Sequence, residues 1–148
     1  MSGVRFQRGN HVVADLDRAL TFYRDVLGFE VTFVLPDRPD SYSRPVFDIP
    51  DEARLQFCVL STGTQERVMA LTEITGIALA PVPHPRRSAI VLEIDDPDAV
   101  VAGSRALGLT VHPEEVLLTK DGRRGREIGI VDFDDNLIVI YTITGVVE

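Results

Sequence analysis

The stretch RGNHVVADLDRALTFYRDVLGF, residues 8–29, decides the fold of this chain. A largely apolar run ends at Asp15, and the spacing changes there. Leu16, Ala19, Leu20, Tyr23, Val26 and Leu27 recur with the period of a helix that buries one face. Asp15 stands where a helix N-cap belongs. Arg18 occupies the place where a capping box would carry Glu, so the box is absent. Gly28 fits the left-handed residue just beyond a helix end. The sequence therefore predicts a strand, a capped helix running to Leu27-Gly28, and a reversal.

The same plan returns in AIVLEIDDPDAVVAGSRALGL, residues 89–109. A strand leads to Asp95 or Asp96 as cap, Pro97 takes the favoured first helical position, and Leu107-Gly108 closes the helix. Residues 71–76, LTEITG, align with residues 140–145, IYTITG, and Asp15 aligns with Asp96. A self-match of this kind determines architecture before any single motif does.

The remaining elements follow from the two repeats. The first strand covers 4–14, and EVTFVLP at 30–36 is a strand that Pro36 closes. Residues 36–52, PDRPDSYSRPVFDIPDE, form a long loop around a short strand at 45–49. Loops of this length in compact domains often carry binding groups. Strands at 54–61 and 67–74 make a hairpin across TGTQE. GIALAPVPHPRR, residues 76–87, carries Pro81, Pro83 and Pro85 and reads as a linker, since closely spaced prolines cannot join a sheet. In the second half LTVHPEEVLL is a strand interrupted at Pro113. KDGRRG is a turn, and strands at 127–132 and 137–144 are joined by FDDN. The expected chain is a single α+β domain of two βαβββ modules, residues 1–75 and 88–148, with 76–87 between them. Neither module could bury both faces of its sheet alone.

Composition narrows the function classes. Hydrophobic residues make up 45%, enough for a sizeable core. A net charge of −8 argues against nucleic acid, whose phosphates call for clustered Lys and Arg. No apolar run is long enough to span a bilayer. The N-terminal MSGVRFQRGN lacks a signal-peptide segment, so a soluble cytoplasmic protein is expected, with no membrane partner. The single Cys58 cannot form an intrachain disulfide, in keeping with a reducing compartment.

The pattern resembles the vicinal oxygen chelate superfamily, also called the glyoxalase/bleomycin-resistance/dioxygenase group. The residues that carry the resemblance are DLDRALTFYRDVLGF at 15–29, the weaker DPDAVVAGSRALGL at 96–109, and DFDDNLIVI at 132–140. The family turn reads DPDGN; here Asp132, Asp134 and Asn136 match, while Phe133 replaces Pro and Asp135 replaces Gly. Aspartate tolerates the left-handed conformation such a turn needs. The resemblance implies an open cup-shaped mixed sheet with helices outside, and a homodimer. In metal-dependent members four His or Glu ligands converge in the cup on one divalent ion, which stabilises charge on bound substrate oxygens.

Carried over position by position, those ligand sites fall on Arg8, Ala70, Ala89 and Val139, none of which is a ligand. A shift of one residue turns a side chain to the other face of the sheet, and a shift of two offers only Thr72 and Tyr141 in the closing strands. His11 lies four residues before Asp15 rather than seven, so it should point away from Arg8's face. His84 and His112 lack ligand-spaced partners. No metal and no cofactor is therefore expected.

What remains is a cup for a small molecule. Strand alternation places Arg8 and Asn10 on its wall, with Ala70 and Thr72, Val91 and Glu93, and Val139 and Tyr141. Gln56 and Cys58 are expected there as well, with Leu55, Phe57 and Val59 turned to the helix. Arg8 could bind a carboxylate through paired hydrogen bonds, or pair internally with Glu93 or Asp95. Tyr42 and Arg44 in the long loop could close over a ligand. Phe22 and Tyr23 read as core, and the Arg86-Arg87 and Arg123-Arg124 pairs as solvated. The expected function is binding of a small, partly apolar molecule without metal, anions being among the candidates. The alternatives are a metal-dependent lyase or dioxygenase of the glyoxalase type, and an interaction module with a filled cup.

Overall fold

The structure, a computed structural model, describes residues 3–148. The chain divides into two compact units between Ala80 and Pro81.

The first unit contains β1 (Gly9–Val13), α1 (Leu16–Tyr23), β2 (Glu30–Leu35), α2 (Ser43–Val46), β3 (Arg54–Ser61) and β4 (Met69–Thr75). Its sheet has the order β1-β4-β3-β2. β1 runs parallel to β4, and the other pairs are antiparallel. Asp15 caps α1 by accepting from the Arg18 N–H at 3.0 Å. Glu73 of β4 accepts from the Leu16 N–H, so a second carboxylate meets the positive end of the helix. α1 packs on β4. Phe22 and Tyr23 are fully buried, as the helical spacing anticipates. The α-helix is shorter than expected. After Tyr23 the chain continues in wider turns, with Leu27 N–H bonded to Phe22 O, and Gly28 at φ +92° ends the segment.

The second unit contains β5 (Ile90–Glu93), α3 (Pro97–Ala106), β6 (Thr110–Val111), β7 (Glu115–Leu118), β8 (Arg123–Val131) and β9 (Leu137–Val146). Its sheet order is β5-β9-β8-β6, with β7 also on β8. This is the first sheet's order again, with one strand broken in two around Pro113. Asp96 caps α3, accepting from Ala99 N–H at 3.1 Å, and Pro97 follows it. Ile128, Ile130, Ile138 and Ile140 share one buried face, and α3 packs on β9. The registers repeat too: Asn10 lies opposite Ala70, and Val91 opposite Val139. The self-match read from the sequence is thus a match of hydrogen-bond register.

Three local expectations are corrected. The first strand begins at Gly9, not at residue 4. Residues 45–49 hold no strand; the turn of helix Ser43–Val46 stands there. Pro45 is compatible with it because the first helical turn uses no N–H donors of its own. The KDGRRG turn is tighter than expected, since Arg123 and Arg124 already pair with Val146 and Gly145 in β8 and β9.

The charged pairs also depart from the solvated reading. Arg86 is only 21% exposed and holds the Asp135 carboxylate and backbone carbonyl. Asp135 takes φ +67° in the FDDN turn, the left-handed conformation expected of the residue that replaces Gly. Arg123 pairs with Asp121 at 3.1 Å. No helix among the described residues is long and apolar enough to cross a membrane.

Candidate functional site

The face of the first sheet turned away from α1 can be read from the register. Asn10, Ala70 and Val59 lie level on it, as do Val12, Thr72 and Phe57, and then Ile74 with Leu55. The opposite face carries His11, Leu71 and Cys58. His11 Nδ1 lies 2.7 Å from the Tyr23 hydroxyl of α1, so the histidine is a buried partner of the helix, turned away from Arg8's face as its spacing predicts.

Register corrects one expectation about facing. Cys58 and Gln56 do not share Arg8's face; Cys58 is level with Leu71 and Gln56 with Glu73, both on the helix side. Phe57 and Val59 take the opposite face instead. Alternation pointed the other way, because Gln56 marks its own face as the more polar one and the uniformly apolar Leu55, Phe57 and Val59 read as the face that meets a helix. Cys58 is completely buried, and burial pushes its thiol up to about 11, against the opposing influence of Arg24. Such a thiol is not poised as a nucleophile.

The other expected residues fall into separate groups. Thr72 Oγ1 donates to Asn10 Oδ1 at 2.9 Å in the first unit. Tyr141 Oη donates to Glu93 Oε2 at 3.3 Å in the second. Arg8 is half-exposed and donates to the Arg67 carbonyl at 3.4 Å. It precedes Gly9, which is level with Met69, and so stands four residues along β4 from Thr72. That separation is about 13 Å at a strand's rise per residue.

A cleft of about 210 Å³ opens on the face away from α1, between the sheet and the loop after β2. Leu35, Leu55, Phe57 and Thr72 supply the sheet wall; Pro36, Asp37, Arg38, Ser41, Tyr42 and Ser43 supply the loop wall. Gln56 also reaches it at the sheet edge, where β2 has ended opposite Phe57 and leaves that flank uncovered. Apolar walls with a few hydroxyls and one cation are the usual make-up of a small-molecule site.

The loop is held by Arg44. Its Nη2 donates to both Asp37 carboxylate oxygens, at 2.9 and 2.8 Å, and to the Ala53 carbonyl at 3.0 Å. One guanidinium thereby joins the start, middle and end of the segment. Partial burial would raise the Asp37 carboxyl, but the bonds from Arg44 and the backbone outweigh it and hold it below the usual range. Ile49 and Ala53 pack under the loop against Leu55 and Ile74. Arg44 is therefore an anchor, and Tyr42, 79% exposed, is the residue left at the cleft mouth. Arg38 and Phe57 were missed as wall residues. A charged residue in a Pro, Asp and Ser-rich loop carries no periodic signal, and Phe57 was assigned to the wrong face.

The donor set does not suit the metal that the resemblance implies. The guanidinium of Arg8 has no lone pair to give, and Ala70, Ala89 and Val139 offer only hydrocarbon. Among the described residues no group of three or more His, Cys, Asp or Glu is placed to hold a metal ion.

Comparison with known proteins bears on the fold and the family. The structure of a glyoxalase family protein from Bacillus cereus superposes with a TM-score of 0.73 at 18% identity, covering 98% of this chain and 97% of that one. The trypanothione-dependent glyoxalase I of Leishmania major gives 0.65 at 21% identity, over 95% of this chain and 87% of that one. TnmS3, an antibiotic binding protein from Streptomyces sp. CB03234, gives 0.55 at 20% identity, over 97% and 99%. No curated protein sequence matches. The family model described as Glyoxalase/Bleomycin resistance protein/Dioxygenase superfamily matches residues 7–140. With that match spanning both repeats, the chain belongs to the glyoxalase/bleomycin resistance protein/dioxygenase superfamily.

Proposed function

We propose that this protein binds a small, partly apolar molecule in the cleft between the 36–43 loop and the first sheet, and that it does so without the metal ion of its metal-dependent relatives. The observation that carries the reading is the cleft itself: an apolar floor of Leu55 and Phe57, roofed by a loop that Arg44 anchors. The hydrocarbon side chains at the implied ligand positions support the metal-free part. Resemblance in fold to an antibiotic binding protein agrees with sequestration as the mode of action, and the homodimer implied by the family belongs to the same proposal. One fold hosts many chemistries, and it is the residues of the cleft that support binding here.

Metal analysis and thermal shift on the same purified protein test it. The expected result is substoichiometric Zn, Ni, Fe and Mn, together with stabilisation by at least one member of a panel of metabolites and antibiotics. A compound at 100 times its dissociation constant adds about 2.7 kcal/mol. One tightly held equivalent of metal, whose removal abolishes a measured turnover, would defeat the proposal in favour of a metal-dependent lyase or dioxygenase. A panel with no stabilising compound would favour an interaction module instead.

A further inference from the structure

We infer that the cleft selects a monocyclic carboxylate, seating the ring between Phe57 and Tyr42 and the acid group on Arg38. The inference rests on the binding role proposed above and adds the chemical class and the residue that chooses it. Size comes first. A cavity of roughly 150 Å³ accommodates benzene. About 210 Å³ therefore has room for one ring with a small substituent, and is small for a fused polycycle.

Polarity sets the orientation. The floor is apolar, and its one hydroxyl, Thr72, has committed its proton to Asn10 at 2.9 Å. A charged group placed against that floor would lose its water and gain no charged donor, since Gln56 at the sheet edge offers only a neutral amide. The lip is different. Asp37 is held by two bonds from Arg44, so its charge is already matched. Arg38 lines the cleft beside it and has no ion pair among the described residues. The site thus presents one uncommitted guanidinium, whose planar fork suits a carboxylate. Tyr42, 79% exposed at the mouth, can fold over a flat ring while ordering only two side-chain torsions.

The experiment uses benzoate and its neutral isostere benzamide, titrated into the full-length protein at constant ionic strength and followed by amide chemical shifts. Both probes are expected to move the Phe57, Thr72 and Tyr42 amides, with benzoate binding about tenfold tighter, the usual scale for one charge-assisted contact. Arg38→Gln should abolish that preference, with benzoate losing about tenfold more affinity than benzamide. Arg87→Gln, which removes an exposed charge outside the cleft, should preserve it. Equal affinities for the two probes, or a preference that survives Arg38→Gln, would overturn the carboxylate assignment while leaving the cleft as a binding site. Failure of both probes to move those amides would overturn the cleft reading as well.

Discussion

At the scale of single residues, the two faces of β3 separate a buried thiol from the wall of the cleft. Cys58 is buried against α1 with its thiol pushed up to about 11, so almost none of it is thiolate at neutral pH. It should resist a thiol-specific reagent at pH 8 in the native protein and react fully in denaturant; rapid native labelling would show that the α1 face opens. Arg8, expected on the cup wall as a possible carboxylate partner, has the less central place. Its guanidinium reaches the Arg67 carbonyl, while the cation at the cleft is Arg38. Thirty residues spanning β1, α1 and β2 separate the two along the chain, so no motif could relate them.

At the scale of elements, the 36–52 loop depends on Arg44. Replacing it with alanine removes the bonds that gather Asp37 and Ala53. Arg44→Ala should speed limited proteolysis within 36–52 and weaken any probe held in the cleft, with little change in far-ultraviolet dichroism. The caps are separable from this. Asp15→Ala and Asp96→Ala should each lower stability by about 1 kcal/mol, the usual cost of losing an N-cap, measured by denaturant unfolding.

The second unit has an acid-sensitive tie between α3 and the strand region that begins at β7. Arg126 bonds Asp98 and Glu114, each at 2.7 Å, and holds both carboxyls below their usual values. A carboxyl whose folded pKa is depressed contributes stability above its unfolded value and loses it as pH falls through the folded one. Stability from this tie should therefore be present at neutral pH and fade on acidification below about pH 4.5. Arg126→Gln should flatten that limb of a melting-temperature profile; an unchanged limb would remove the tie from the account. The groups are exposed, so the effect will be small and will shrink with salt.

At the scale of the whole molecule, an acidic chain of net charge −8 carries two copies of one strand-and-helix plan. The copies share sheet order, capping aspartates and register, yet the polar pairs they carry have diverged. One carries Asn10 with Thr72, the other Glu93 with Tyr141. A homodimer, part of the proposal above, should appear in light scattering as twice the 16.4 kDa chain mass. A monomer at all accessible concentrations would remove the dimer from it.

The fold was legible because its signals are local and repeated. Asp15, Gly28, Asp96, Pro97 and Gly108 mark helix ends through backbone requirements that neighbouring residues cannot change. The aligned LTEITG and IYTITG segments carried the register of one sheet to the other. That His11 faces away from Arg8 also followed, because counting from Asp15 along one strand needs no tertiary information; that α1 covers this face is shown by its bond to Tyr23. The facing of Gln56, Cys58 and Phe57 did not follow. The uniformly apolar Leu55, Phe57 and Val59 read as the helix-packing face, and only the hydrogen bonds of β3 to β4 put Cys58 and Gln56 on that side instead. Nor did the cleft, since Arg44 joins Asp37 to Ala53 across a loop without periodicity, and that closure in space is what brings Arg38 and Tyr42 to the wall made by Phe57 and Thr72.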